Sequence, residues 1–339
     1  MPTVAVDARD AFAPHLRGWG RYTRELVRCL GERDGQDELR FRFLERGGRG
    51  PELLWEQLAL PRLLRGGGYD AVHATNCFLP LRRPCPGVVT IHDLAFEDHP
   101  GDFAPRTRWK YRTLAPRAAR SAERVICVSA FTRDDVIARY GAAPERVHVV
   151  HPAAALPLTG AEPPPGPYLL AVGDLRRKKN FARLAEAFAL LHAEGLPHRL
   201  VIAGLDSGER EHIVAAAGAA PLELPGYVSD ERLDALMRGA DLLVHPSLYE
   251  GFGLVLVEAM ARGTPVAAAR ATALPETGAG AAVYFDPHDA RDMADSIRSV
   301  LEDASLRERL VASGRERAAG FSWRTAAERT MGVYREAIG

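Results

Sequence analysis

The chain has 339 residues, with 44 Lys+Arg against 44 Asp+Glu and a formal net charge of +0, so no global field draws it onto nucleic acid or a membrane and any anion site has to be local. A composition of 47% hydrophobic and 26% charged residues is that of a soluble globular protein, and the 31 Gly and 24 Pro follow no repeat, which excludes disordered and fibrous classes. At about 150 residues per domain the length suggests two domains.

Met1 runs directly into "TVAVDA", without the charged start, apolar stretch and cleavage site of a signal peptide. No apolar run reaches the about 18 residues a membrane span needs. Cys29, Cys77, Cys85 and Cys127 lie in the first half with no C-x-x-C pair and no metal spacing, which suits free thiols in a reducing cytosol. A cytoplasmic protein is the expectation.

Along the chain, short aliphatic runs alternate with helical patterns. The runs are "TVAVDA", "DAVHAT", "GVVTIHD", "RVICVS" and "VHVVHP", then "YLLAVGD", "RLVIAG", "LELPGY", "DLLVHPS" and "PVAAA". This βαβ pattern predicts an α/β protein with parallel sheets covered on both faces. Between the two sets, "ALPLTGAEPPPGPY" is too rich in Pro and Gly for regular structure and marks a linker over 156–167. Two Rossmann-like, doubly wound domains are expected, over 1–155 and 168–320. A last helix over 321–339 has Trp323, Ala327, Met331 and Tyr334 near helical spacing. It packs by one face, and periodicity leaves the choice of domain open, a return to the first being one option.

In such sheets ligands bind beyond the carboxyl ends of the strands. Polar residues collect there: Asp7, His73, Asn76, His92, Asp93 and Ser129 in the first half, and Asp174 and Ser247 with Gly173 and Gly204 in the second. Residues 105–124, "PRTRWKYRTLAPRAARSAER", hold seven basic residues against one acid. Two readings stay open, an acceptor or peripheral membrane-surface patch, and a solvated helix face interrupted at Pro116. His245, before Pro246 at a strand end, reads as a packing residue.

The stretch "HPSLYEGFGLVLVEAMARGTPV", residues 245–266, carries the sharpest question. Glu250 precedes a Gly-Phe-Gly turn and Glu258 sits inside an almost wholly apolar run. A buried carboxylate without a partner costs several kcal/mol or is forced neutral, so something polar has to meet it. The glycine turn opens a short helix with Gly263 in the stop position, and its free amides suit a phosphate or sugar hydroxyl. An i,i+4 pair from Glu258 to Arg262 is the plainer partner. Only three of the 44 basic residues are Lys, and two of them, Lys178 and Lys179, are adjacent in "GDLRRKKN", where a compact point charge suits phosphate.

Taken together, "PSLYEGFGLVLVEAMARGTPV", "ALPE" and "VYFDP" resemble the Glu-x7-Glu donor-site signature of retaining glycosyltransferase family 4, and the ordered set of motifs spans nearly the whole chain. The resemblance implies the GT-B fold and a retaining, metal-independent hexosyl transfer from a nucleotide sugar to a hydroxyl acceptor, a saccharide, lipid-linked saccharide or small molecule, with no cofactor. The Gly-x-Gly-Arg-Tyr and Lys-Lys-Asn variants look closest to mannosyltransferases of polysaccharide assembly, which points first to GDP-mannose, with UDP- or dTDP-hexose as alternatives.

Site roles follow from the same resemblance. His92, Glu250 and Lys179 are implied as catalytic, His92 near the transferred sugar's hydroxymethyl group. Gly18 and Gly20 of "GWG", the basic turn Arg177, Lys178 and Lys179, the nucleobase-flanking Tyr227 and Val228, the turn Phe252, Gly253 and Leu254, and Glu258 at the ribose are implied for the donor. Arg21, His73, Asn76 and Asp93 are candidates for the acceptor, and no metal ligand is expected. The chain departs from the pattern in having Gly173-Asp174-Leu175 where many members carry Gly-Arg-Leu, so Asp174 has to turn from a diphosphate. "HPAAALP" replaces another usual loop. A nucleotide-sugar epimerase, a non-catalytic nucleotide-sugar-binding subunit and a glycosidase pair are the alternatives. The oligomeric state is left open.

Overall fold

The computed structural model describes residues 1–12, 18–35, 38–45 and 51–339. The chain divides into two units, Met1–Ala155 with Ser322–Gly339, and Leu156–Phe321. The last helix, Trp323–Ile338, thus belongs to the first unit, and all four residues at helical spacing are buried there.

Each unit is built on a six-stranded sheet whose pairings are all parallel. In the first, β1 (Thr3–Asp7), β2 (Arg40–Leu44), β3 (Ala71–Ala74), β4 (Gly87–Ile91), β5 (Arg124–Cys127) and β6 (Val147–Val149) lie in the order β2-β1-β3-β4-β5-β6. In the second, β7 (Tyr168–Val172), β8 (Arg199–Ala203), β9 (Leu222–Gly226), β10 (Leu242–His245), β11 (Val266–Ala269) and β12 (Val283–Phe285) lie in the order β12-β11-β10-β7-β8-β9. Central strands such as β3, β4, β10 and β11 are buried at every residue, as expected of continuous apolar runs covered on both faces. The strand order reverses at β1/β3 and at β7/β10, and these switch points are where the loops splay and ligands bind in doubly wound sheets.

All ten runs read from the sequence form strands. The two others, β2 and β12, are sheet edges. "RFRFL" alternates because one flank is solvated, and "VYF" spans three residues, so neither has the long apolar run of a central strand. The helix Pro105–Ser121 runs on through Pro116, where an interruption was expected; Pro116 removes one main-chain donor and the rest of the helix bridges it.

Residues 156–167, expected as a free linker, cluster with the second unit. Asp234, fully buried, takes Thr159 N at 3.0 Å and Thr159 Oγ1 at 2.8 Å on Oδ2, and Arg262 Nε at 2.7 Å on Oδ1. Arg262 Nη2 donates to the carbonyls of Leu156 and Pro157, at 2.9 Å each. Burial pushes the Asp234 carboxyl up, but the donors from Thr159, Arg262 and Arg238, whose Nε lies 3.1 Å from Oδ2, outweigh it and bring it to about 2.

His73, in β3, is fully buried in the first unit, with Nδ1 2.7 Å from Tyr334 Oη and Nε2 2.8 Å from Thr90 Oγ1. It ties the sheet to the last helix, and both ring nitrogens are engaged, which corrects its reading as an acceptor residue. Burial drives its pKa from 6.5 down to about 3. The folded value is depressed, so the neutral ring's contribution is complete above pH 6.5 and is lost toward pH 3 as the unfolded chain binds the proton, at up to about 1.4 kcal/mol per pH unit. We expect Tm to fall on acidification from pH 7 to 5, and the fall to be shallower in His73→Gln, which has no titration there. Equal slopes by calorimetry would exclude His73 as the cause.

Candidate active site

At the switch point of the second sheet, the loops after β7 and β10 meet. Gly173 follows β7 with φ +149°, a conformation that favours glycine, and a Cβ on Gly204 would lie 1.8 Å from the Gly173 carbonyl, so Gly204 is required by close approach of the β7 and β8 loops. The turn Arg177–Lys179 follows. Asn180, in the left-handed region at φ 58°, closes it and donates from Nδ2 to the carbonyls of Pro246 at 3.2 Å and Pro287 at 2.7 Å. Leu248 N donates to the Lys178 carbonyl at 2.8 Å. The basic turn is therefore stitched to the loop after β10.

That stitching brings Lys179 to Glu250: Nζ lies 2.5 Å from Oε1. The same Oε1 is 3.1 Å from His245 Nε2, and Ser247 Oγ is 3.2 Å from that nitrogen. Glu250 N donates to Thr272 Oγ1 at 2.9 Å. Burial pushes the Glu250 carboxyl up, but Lys179 and the His245 hydrogen bond outweigh it and hold the group well below 4.5. Burial lowers His245, with Glu250 opposing, so the ring is neutral and donates from Nε2.

Beyond Glu250, Phe252 is buried, with its ring edge-on to Phe321 at 5.3 Å and its carbonyl accepting from Thr277 Oγ1. Gly253 caps the helix Leu254–Ala261 at φ 95°, and a Cβ there would stand 2.7 Å from Leu274 Cδ2. Only glycine fits both demands. Leu254 is the first helical residue, and Gly263 follows the end at φ 77°.

Glu258, one turn into this helix, is 3% exposed and Oε1 accepts from Leu156 N at 3.1 Å. The buried acid thus meets main chain at the first residue of the second unit. Arg262 Nη1 reaches the Glu258 main-chain carbonyl at 2.9 Å while its Nε pairs with Asp234.

The other expected donor residues are placed as follows. Arg177 is 75% exposed at its side chain and pairs with Glu209 at 3.1 Å, turned from Lys179's partner Glu250. Asp174 is met by Arg176 at 3.8 Å. Tyr227, exposed, and Val228, half-buried, follow the end of edge strand β9.

In the first unit, Gly18 and Gly20 lie in the first turn of the helix Gly18–Gly31, not in a loop, with Arg21 buried beside them. Asn76 Nδ2 donates to Asp10 Oδ2 at 2.6 Å, and Thr75 Oγ1 donates to the Asp7 carbonyl at 2.8 Å, joining the ends of β1 and β3. His92 follows β4. Nε2 donates to the Thr75 carbonyl at 2.9 Å, and the ring stands edge-on to Tyr22 at 4.7 Å. Burial lowers its pKa against the Thr75 bond and the Asp93 and Asp10 charges, so it too is a neutral donor. Asp93 Oδ1 accepts from Ala95 N at 3.0 Å.

Two family models match the chain, Glycosyltransferase Family 4 over residues 16–156 and Glycosyl transferases group 1 over residues 159–317. O-antigen chain mannosyltransferase B of Escherichia coli is 31% identical over 284 residues, 78% of this chain and 73% of that one. The chain belongs to glycosyltransferase family 4. The D-inositol 3-phosphate glycosyltransferase 1 of Catenulispora acidiphila is 34% identical, covering 85% of this chain and 79% of its own. Among solved structures, sucrose-phosphate synthase from Thermosynechococcus elongatus superposes with a TM-score of 0.77 at 23% identity, over 99% of both chains. Anabaena HepE in complex with UDP-glucose does so at 0.74 and 20%, also over 99% of both. The fold of this glycosyltransferase is GT-B.

Sequence reasoning missed His245 in the glycosyltransferase's site. Its signal was position: it ends a buried strand at the switch point, five residues before Glu250. Among the described residues, no group of three or more His, Cys, Asp or Glu could hold a metal ion, and no helix is long and apolar enough to cross a membrane. In 105–124, five of the seven basic side chains are spent within the unit. Lys110 pairs with Glu52 and Glu56, Arg112 with Glu97 and Arg124 with Glu336, while Arg117 and Arg120 bond the carbonyls of Thr113 and Tyr140. This favours the solvated face over a membrane patch, although Trp109 is 60% exposed.

Proposed function

We propose that this glycosyltransferase moves a hexose, mannose first, from a nucleoside-diphosphate sugar to a hydroxyl acceptor with retention at the anomeric carbon, in glycan, glycolipid or glycosylated-metabolite assembly on the cytoplasmic side. The observation that carries the reading is the Lys179–Glu250 pair at the β7/β10 switch point. Breaking the sugar to phosphate bond leaves a nucleoside diphosphate, and its developing charge needs a nearby cation in a site poor in water. Lys179 supplies that charge, with Lys178 beside it and the amides of Gly253 and Leu254. Glu250, kept as a carboxylate, accepts from the sugar's hydroxyls, and Glu258 accepts from the ribose. Positive charge from side chains makes a resident metal or other cofactor unnecessary in this scheme. His92, whose one proton is donated from Nε2 to the Thr75 carbonyl, accepts at Nδ1 from the hydroxymethyl group of the sugar. The names of two relatives as mannosyltransferases support GDP-mannose as the first donor.

Calorimetric titration with GDP, UDP, ADP and dTDP, in a chelator and then with magnesium, tests the donor side. Metal-free binding of one nucleotide, GDP first, is expected. A strict magnesium requirement would overturn the metal-independent scheme, and no binding of any would favour a non-catalytic subunit. Retention is checked by the anomeric proton signal of the product.

A further inference from the structure

We infer that His245 is a positioning residue, which holds the Glu250 carboxylate in its working orientation when Lys179 turns to the donor diphosphate. This rests on the reading of Lys179 as the phosphate-side cation.

Both partners share one oxygen of Glu250. Lys179 reaches Oε1 from the basic turn on a flexible four-carbon stem, whereas His245 reaches it from the last residue of β10. The imidazole is 1% exposed, and its place is set by a strand buried at every residue. One partner can leave and the other is built in. The charges facing the ring are Glu250, Lys179 and Lys178. His245 Nδ1 is buried and has no hydrogen-bond partner, so a proton there would be a buried donor without an acceptor, and the ring keeps its single proton on Nε2. An Nε2–H fixed in this way points permanently at Glu250 Oε1, with Ser247 Oγ, itself fully buried, on its flank at 3.2 Å.

The consequence is a division of labour. Glu250 is compensated by an ammonium and a neutral N–H donor. Once a diphosphate draws Lys179 away, the donor from His245 keeps the half-buried carboxylate from rotating. The carboxylate then meets the sugar hydroxyls already oriented, which is where preorganisation acts on turnover more than on donor affinity.

The test uses the full chain with His245→Ala and His245→Gln, since a glutamine amide can place a donor near the position of Nε2. Transfer kinetics are read beside calorimetric binding of the nucleotide that the wild type takes. His245→Ala is expected to lose about tenfold or more in kcat with nucleotide Kd within about threefold of wild type, and His245→Gln to regain most of the loss. Wild-type kcat in the alanine variant would overturn the proposal. So would a glutamine variant no better than alanine, which assigns His245 to packing alone. If the alanine variant does not fold, His245→Asn, whose shorter amide cannot reach Oε1, takes its place against glutamine. Failure of the underlying reading is registered separately, as wild-type protein that binds no nucleotide or a Lys179→Ala variant that transfers normally.

Discussion

Lys179→Ala is expected to lower kcat/KM for transfer by about 10²- to 10³-fold, the range for removing one donor from a developing charge. The same substitution has a second effect that the ion pair dictates. Glu250 is half-buried, its side chain 14% exposed, and it is held well below its ordinary value by Lys179 first among its compensating partners. Its folded value is depressed, so in the wild type this carboxylate contributes stability that is present above pH 4.5 and lost as pH falls. Without the ammonium, burial is opposed mainly by His245 and Lys178, so the carboxyl rises toward its ordinary value and the stability it contributes at neutral pH is reduced. The Tm deficit of Lys179→Ala should therefore be larger at pH 7.5 than at pH 4.5. A deficit that is the same at both values would mean that Glu250 finds another cation in the variant. Normal transfer would remove Lys179 from the chemistry.

The sheets were legible because central parallel strands must be apolar along their whole length, and the eight central runs stand out, with the edge runs "VHVVHP" and "LELPGY" beside them. Edge strands are not bound by that rule, and "RFRFL", which alternates, and "VYF", which spans three residues, did not stand out. In the site, the Gly-Phe-Gly turn, both glutamates and the lysine pair could be read, because each is a residue type that its neighbourhood does not explain. Their meeting could not be read. It depends on Asn180 and the Lys178 carbonyl joining two loops whose strands are separated by two others in sequence but adjacent in the sheet. His73 shows the opposite error. A histidine at a strand end has the same letters whether its ring faces solvent or Tyr334, and the partner lies 261 residues away. Likewise the Pro-rich run at 156–167 has a linker's composition, but Asp234, Glu258 and Arg262 supply its main chain with the bonds it cannot make itself.

Glu258 is the residue on which structure and function make separable demands, and two substitutions should separate them. Oε1 accepts from Leu156 N, a buried contact at the residue where the second unit begins. Glu258→Ala deletes that acceptor, and a buried amide left without a partner costs about 1–3 kcal/mol, so thermal unfolding should shift clearly downward. Under the proposed function it also deletes the acceptor for the ribose hydroxyls, and nucleotide affinity should fall by about 10- to 100-fold, the usual worth of one hydrogen bond to a charged group. Glu258→Gln keeps an oxygen for Leu156 N but loses the charge. Its Tm should stay close to wild type while nucleotide affinity still drops, because a neutral amide is the weaker acceptor. Calorimetry and thermal unfolding on the same three proteins decide the matter. A glutamine variant that is stable and binds as tightly as wild type would make Glu258 a fastener for Leu156 and nothing more, and an alanine variant that binds normally would remove the ribose from the account altogether. The expected pattern, stability lost in one variant and affinity in both, would mean that one carboxylate holds the nucleotide and the start of the unit that binds it.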